Sequence, residues 1–258
     1  LGGLFDVDAG EIWLAKEQIF GPSKNLIPGH ERIKHVAQDF NLLPNHTVEE
    51  NIGAELHRYY KYEKKEVTKK VLDAFHIAEL KSKKPRNLSG GQQQRIALAK
   101  SIAELPALLL LDEPFNQQDS WNKGEVLQAI KSLAKDLEIA VLMVTHQYED
   151  ALDISDRILV MDKGKIIQKG KPSEVYFHPK NAAVAELFGD YLLVNGDIRR
   201  PIDFALSDKG EHQVRVIESR FKGNRYEVVV KMDQHRFLMS SDEKISAGKL
   251  FLTAKEKG

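Results

Sequence analysis

Residues 88–95 read LSGGQQQR and, after one predicted helix, residues 108–114 read LLLLDEP; this stretch decides the fold. Ser89 and Gln92 have the spacing of a capping box, in which each side chain bonds the backbone N–H of the other residue. A helix is therefore expected to begin at Gly90. The two glycines of its first turn leave the N–H groups uncovered, so an anion could approach this positively polarised helix end.

Four consecutive leucines at 108–111 predict a strand that is buried on both faces, as strands of parallel sheets are. Asp112 and Glu113 end this strand, and Pro114 prevents further pairing. Open parallel sheets bind their ligands at the carboxyl ends of the strands. One acid there can hold a magnesium ion on nucleotide phosphates, and its neighbour can orient or deprotonate a water molecule.

The two segments together resemble motifs of a known family. Residues 88–95 resemble the signature motif of ATP-binding-cassette (ABC) ATPases, and residues 108–113 resemble their Walker B strand with its catalytic glutamate. The resemblance implies an α/β fold: the P-loop nucleoside-triphosphatase core of an ABC cassette, here lacking its first strands and P-loop. It also implies a helical subdomain and a small C-terminal domain similar to a β-barrel.

Other residues match further motifs of this family. Gln38 follows a strand predicted at 33–37 and resembles the Q-loop glutamine; His146 follows a strand predicted at 139–144 and resembles the H-loop histidine. Asp119 matches the D-loop aspartate. Asn116 and Gln118 stand where the family usually has serine and leucine, which leaves communication between two cassettes open.

The resemblance implies ATP and Mg²⁺ as cofactors and a role for each matched residue. Glu113 would be the general base, and His146 would hold the γ-phosphate, the water and the glutamate in position. Asp112 and Gln38 would hold the metal. The residues expected to bind ATP are Gln38, Ser89, Gly90, Gly91, Gln92 and Asp119.

The remaining sequence predicts the domain organisation. Thr47 and Glu50 form a second capping box, which opens a helical subdomain at about 47–105. The ABC ATPase domain is expected to occupy residues 1–190. Alternating strands from about residue 200 predict a small β domain over 200–258, which resembles the TOBE domain appended to many importer ATPases. An unrelated β extension is the alternative.

Shorter elements are also predicted. Residues 1–4 resemble the last turn of a helix with a glycine at its C-cap. Residues 155–166 predict a hairpin around Gly164. Ser173 is expected to cap a short helix, and a further helix is expected to run from Asn181 to Gly189.

The composition excludes several kinds of protein. Lys+Arg and Asp+Glu both total 38, so the net charge is zero and no global field favours nucleic acid or an anionic membrane. The absence of cysteine excludes disulfides and thiolate metal sites. No apolar run approaches the roughly 18 residues that a membrane span needs, so membrane association is expected to go through another protein.

A P-loop of the form G-x-x-x-x-G-K-[ST] is missing from the sequence. Gly-Lys pairs occur at 164–165, 170–171 and 248–249, and Ile, Pro and Leu follow them. Because residues 1–3 resemble the end of the helix that follows the P-loop in cassettes, the sequence is expected to be truncated just downstream of it.

The predicted function is the ATP-hydrolysing subunit of an ABC transporter that works in the import direction at the cytoplasmic face of the cell membrane. Its expected partners are a second cassette, transmembrane permease subunits and a substrate-binding protein, without nucleic acid. Two alternatives stay open: an ABC ATPase of DNA maintenance or translation, and a catalytically degenerate regulatory module. No long coiled coil fits between Gln38 and Ser89, which argues against DNA maintenance.

Overall fold

The computed structural model describes residues 1–25, 28–36, 41–54, 56, 61–115 and 123–255. The chain divides into two compact units, residues 1–146 and residues 147–258, and each is described by itself. The domain boundary predicted between residues 190 and 200 and the extent of the helical subdomain stay predictions.

The first unit alternates strands with helices. Its elements are β1 (Ile12–Leu14), β2 (Glu17–Ile19), β3 (Ile33–Val36), α1 (Val48–Ala54), α2 (Lys61–Ala74), α3 (Gly90–Ala103), β4 (Leu108–Asp112), α4 (Lys123–Asp136) and β5 (Ala140–Val144). Strands β3, β4 and β5 form a parallel sheet in that order, whereas β1 and β2 form a separate hairpin. Parallel neighbours need long crossover connections, and here α1 to α3 and then α4 supply them.

The core of this unit is formed by the apolar faces of the four helices and by alternate residues of β4. Helix α4 buries residues at helical spacing, as the sequence predicts. The buried apolar residues of these elements are Val48, Ile52, Val71, Leu72, Ile96, Leu98, Ile102, Leu109, Leu111, Val126, Leu127, Ile130 and Leu133.

The expectation that β4 is buried on both faces is wrong. Leu109 and Leu111 are 0% and 1% exposed, but Leu108 and Leu110 on the opposite face are only half-buried. No residue of β5 is fully buried either. The run of leucines therefore predicted the strand and its position correctly, but it overestimated the burial of the second face of the strand.

The helical turn predicted at residues 1–4 is also wrong, since residues 1–10 form bends without a helix. Gly3 does have φ +75°, the left-handed conformation expected of a C-cap glycine.

Both predicted capping boxes are confirmed. The Thr47 N–H donates to the Glu50 carboxylate at 2.7 Å, and the Glu50 N–H donates to the Thr47 hydroxyl at 3.1 Å. These bonds to its charged form lower the pKa of the Glu50 carboxyl. Buried Asn51 then fastens the preceding loop to α1, because its side-chain amide donates to the carbonyls of Leu43 and Thr47, both at 3.0 Å.

Removal of the Thr47 cap should therefore be measurable. We expect Thr47→Ala to lower the free energy of unfolding of the first unit by about 1 kcal/mol, because an orphan N–H loses its acceptor. Urea unfolding followed by circular dichroism measures the change. The matched control is Ser82→Ala, another exposed hydroxyl in this unit; an equal loss in both variants would contradict the prediction.

The second unit begins with α5 (Tyr148–Ile154), the hairpin β6 (Ile158–Asp162) and β7 (Lys165–Gly170), α6 (Pro172–Phe177) and α7 (Ala182–Leu187). Lys163 and Gly164 in the hairpin turn both have positive φ, as a tight right-twisted hairpin requires. The helix predicted from Asn181 to Gly189 is found as α7, and Asn181 is its N-cap. Ser173 does not cap α6: Lys171 precedes the helix, because Pro172 takes the first helical position, where its missing N–H costs nothing.

The rest of this unit is a curled antiparallel sheet. It contains β10 (Phe204–Ser207), β11 (His212–Phe221), β12 (Tyr226–Met232), β13 (His235–Ser241) and β14 (Gly248–Ala254), in the order β10-β14-β11-β12-β13. The four longest were predicted from their alternation. The short strands β8 (Leu192–Val194), β9 (Asp197–Arg199) and β10 were not, because three or four residues give too short an alternation to recognise. One face of the sheet forms an apolar cluster that includes Phe204, Val216, Val230, Phe237 and Leu252.

Arg200 is buried within this unit and is 1% exposed. Its guanidinium donates to four carbonyl oxygens, those of Tyr176, Ala185, Gly189 and Asp190, at 3.0 to 3.1 Å. It also lies over the Tyr176 ring, 4.4 Å from the ring centre. Burial lowers the pKa of Arg200. The side chain therefore ties the ends of α6 and α7 to the first residues of the β region.

Candidate functional site

The two acids predicted as site residues lie where the sequence placed them, at the carboxyl end of β4. Asp112 is the last residue of the strand, lies opposite Val144 of β5 and is exposed. Glu113 follows it directly. Because β4 and β5 are parallel, the residues that follow both strands emerge at the same edge of the sheet.

Glu113 is held in an uncommon backbone conformation. Its φ is +45°, in the left-handed region that residues other than glycine rarely occupy. Its N–H donates to the carbonyl of Val144 at 2.9 Å, so the turn after β4 is fastened to the end of β5. Strained backbone of this kind concentrates at functional sites, where surrounding structure holds it. Here the turn directs the carboxylate towards the residues that follow β5.

His146 is the residue that this carboxylate meets. The distance from His146 Nδ1 to Glu113 Oε1 is 2.9 Å, which is a hydrogen bond or ion pair according to the protonation of the ring. The two side chains are 57% and 47% exposed, respectively, so water and a phosphate group can reach both. The structure thus brings together the two residues that the resemblance assigns to catalysis.

The predicted anion-binding helix end is formed by the first turn of α3. The Ser89 N–H donates to the Gln92 side chain at 3.1 Å, and the Gln92 N–H donates to the Ser89 hydroxyl at 3.4 Å. Ser89 and Gly90 are exposed, and a side chain added to Gly90 would meet nothing within 4 Å. The helix end is therefore open. Within the part of the chain that the structure describes, no hydrogen bond or ion pair joins residues 89–92 to Asp112, Glu113 or His146.

Sequence reasoning missed Gln94, which connects the two halves of the motif. Its side-chain amide donates to the carbonyl of Pro114, the residue after Glu113. Gln94 thereby fastens the turn that carries Glu113 to α3. The run of three glutamines at 92–94 was the available signal, but periodicity could not tell which of them faces the strand end.

Some residues of the predicted site cannot be placed relative to these contacts. Gln38 and Asp119, together with the D-loop departures at Asn116 and Gln118, lie outside the described residues. Within the described ranges, no group of three or more His, Asp or Glu residues could hold a metal ion.

A carboxylate and a histidine at adjoining strand ends of a parallel sheet are the parts that a nucleoside triphosphatase uses to position water against a phosphate. Comparisons with known proteins identify the family. The family described as ABC transporter matches residues 1–116. The spermidine/putrescine import ATP-binding protein PotA of Clostridium novyi is 34% identical over 282 residues, which cover 96% of this chain and 80% of that protein.

Other relatives agree. The PotA proteins of Escherichia coli K12 and Trichormus variabilis are each 38% identical and align with 79% and 77% of this chain, but with only 53% and 51% of their own length. The chain thus spans about half the length of these two relatives. The dimeric ATP-binding cassette MJ0796, solved in a post-hydrolysis state bound to ADP and Pi, matches with a TM-score of 0.55 and 27% identity over 66% of this chain and 77% of that chain. The chain belongs to the ABC transporter family.

This result confirms the predicted family and fold class. The roles assigned to individual residues stay predictions. Among the helices of the described residues, none combines the length and apolar character that crossing a membrane requires.

Proposed function

We propose that the chain hydrolyses ATP at the carboxyl ends of β4 and β5 and thereby drives import through membrane-spanning partners. The observation that carries the proposal is the 2.9 Å contact between His146 Nδ1 and the Glu113 carboxylate. A water molecule between these groups and a bound γ-phosphate would lose its proton to Glu113, while His146 fixes the orientation of the carboxylate.

Magnesium bound with the nucleotide would neutralise charge on the phosphates, and Asp112 and Gln38 are the residues proposed to hold it. Asp112 fits this role because it is exposed at the strand end beside Glu113. Gln94 would act as a positioning residue, since it holds the turn that carries Glu113 through the carbonyl of Pro114. The chemistry proposed for this chain is thus to hold the metal ion, to orient the water and to accept its proton.

The first turn of α3 is proposed to serve a nucleotide held by a second cassette. Its open N–H groups suit a phosphate, and residues 89–92 make no direct bond to the Glu113–His146 pair within the described residues. The dimeric cassette MJ0796, bound to ADP and Pi, supports pairing of two cassettes. The proposed partners are permease subunits and a substrate-binding protein. Asp119 is proposed to connect the two nucleotide sites, and the proposed location is the cytoplasmic face of the membrane.

The substrate class proposed is the polyamines, because the relatives named above are spermidine/putrescine import proteins. The test is uptake of labelled spermidine into membrane vesicles that carry the assembled transporter. We expect uptake that requires ATP on the side of this subunit and that unlabelled putrescine inhibits. ATP-driven uptake of another class of solute without uptake of spermidine would contradict the proposed substrate but not the proposed ATP hydrolysis. Absence of any ATP-dependent uptake would contradict the transport function.

A further inference from the structure

The outer face of the C-terminal sheet carries a row of basic residues. Lys249 on β14 lies opposite Arg215 on β11, Arg215 lies opposite Lys231 on β12, and Lys231 lies opposite Arg236 on β13. We call these four residues the basic row. Three of them are exposed and Lys231 is half-buried. Their strand neighbours Val214, Val216, Val230 and Phe237 are buried in the apolar cluster, so the four side chains point away from it.

The register makes this row straight and regular. Adjacent strands lie about 4.8 Å apart, so four cations are spread along about 14 Å, perpendicular to the strands. Like charges directly opposite each other on a sheet are destabilising. A row of four like charges therefore destabilises the fold when no ligand is bound.

None of the four basic side chains makes an ion pair with an acid in the described residues, although Glu218 lies beside the row, opposite Val229. The ion pairs of this region are made by other side chains: Arg220 with Glu218, Lys222 with Glu227, and Arg199 with Asp203. The acids beside the row are thus already paired. The positive charge is confined to a line one residue deep, in a chain whose net charge is zero.

Apolar side chains flank the basic row. On one side Val229 lies between Leu238, which is 45% exposed, and Glu218, which is paired with Arg220. On the other side Phe251 is half-buried and lies opposite Gln213. The complementary ligand therefore carries a line of negative charges with apolar groups beside it.

We propose that this face docks an acidic amphipathic helix of a partner protein, laid along the basic row. Side chains three or four residues apart on a helix are about 5–6 Å apart, close to the strand spacing, so four acids over three turns match four cations. The apolar residues beside such acids would cover Leu238 and Val229. An extended segment matches less well, because its same-face side chains are about 6.7 Å apart.

Two other polyanions fit less well. Duplex DNA carries one charge per about 1.7 Å, far more than a row one residue deep can neutralise. An anionic membrane is a broad surface, so its negative charges would also repel the acids Glu218 and Glu227 beside the row. The surface lies within the second unit, and the proposal does not rest on ATP hydrolysis.

The test is binding of a labelled 20-residue helical peptide, with glutamate along one stripe and leucine beside it, to the whole chain by fluorescence anisotropy. We expect Arg215→Glu with Lys231→Glu to weaken binding at least about tenfold, because attraction becomes repulsion at the centre of the row. Lys244→Glu makes the same type of charge change on an exposed turn of this region and should change affinity less than about twofold.

Thermal unfolding separates lost binding from lost folding. The double reversal turns the two outer contacts, with Lys249 and with Arg236, into contacts of opposite charge and keeps one like-charge contact at the centre. The double variant should therefore melt no lower than the parent chain, and saturating peptide should raise the melting temperature of the parent only. Equal weakening by Lys244→Glu, or unchanged binding in the double variant, would overturn the proposal. If oligothymidylate or phosphatidylserine vesicles bind through the same two residues more tightly than the peptide does, the proposed acidic helix is wrong and that ligand takes its place.

Discussion

Replacement of Glu113 by glutamine is expected to lower ATP turnover by at least about 100-fold, while ATP binding changes little. General base catalysis contributes about 10²- to 10⁴-fold, and an amide cannot accept the proton of the attacking water. Glutamine has the same length and can still bond His146 through its side-chain oxygen, so the architecture of the pair should persist. Phosphate release under single-turnover conditions measures the effect, with a P-loop segment supplied upstream of Leu1 because the sequence contains none.

Glu138→Gln is the matched control for this experiment. Glu138 is also a glutamate of the first unit with positive φ, +56°, and it is exposed in the turn after α4. Its substitution makes the same change of charge in the same backbone conformation. Full turnover in Glu113→Gln would refute Glu113 as the base; an equal loss in Glu138→Gln would show that the effect is not specific to the strand end.

The elements of this site were predictable because each leaves a local signal. A capping box, a run of apolar residues and a terminal pair of acids are read from neighbouring residues, and all three were found where expected. The contact between Glu113 and His146 depends on something else. It needs the parallel register of β4 with β5 and the left-handed turn at Glu113, and neither is encoded by a local pattern. The family resemblance supplied that pairing in advance.

Burial was predicted less well than the elements themselves. The leucine run at 108–111 indicated cover on both faces, yet only alternate residues are fully buried. An apolar sequence shows that the side chains of a strand can be buried. Whether each face is buried depends on whether another layer of the fold packs against it. The same limit applies to Gln94, whose partner lies 20 residues away on another element.

The basic row shows the strongest dependence on tertiary structure. Its four residues are scattered between positions 215 and 249, and the nearest two, Lys231 and Arg236, are five positions apart. Antiparallel pairing with a bulge between Val216 and Glu218 aligns them. A shift of register by one residue would have sent each side chain to the apolar face. Charge patterns on sheets are therefore visible only after pairing is known.

The second large effect is expected from Arg200→Met, which should lower the free energy of unfolding of the second unit by about 3–5 kcal/mol. Methionine keeps much of the apolar stem but removes the donors to four carbonyl oxygens, which are then left without partners in a buried position. Hydrogen exchange of the β11 to β14 amides measures the loss, because these strands form the core beside Arg200.

The adjacent arginine provides the control for this prediction. Arg199 is partly exposed and pairs with Asp203 at 3.4 Å, so Arg199→Met removes the same type of group from the same segment. A partly exposed ion pair contributes little, and we expect a loss below about 1 kcal/mol. Burial, rather than charge, is thus the variable that separates the two substitutions. Equal protection of the sheet amides in both variants would mean that the four carbonyl bonds of Arg200 do not hold the unit together, and that the apolar cluster alone does.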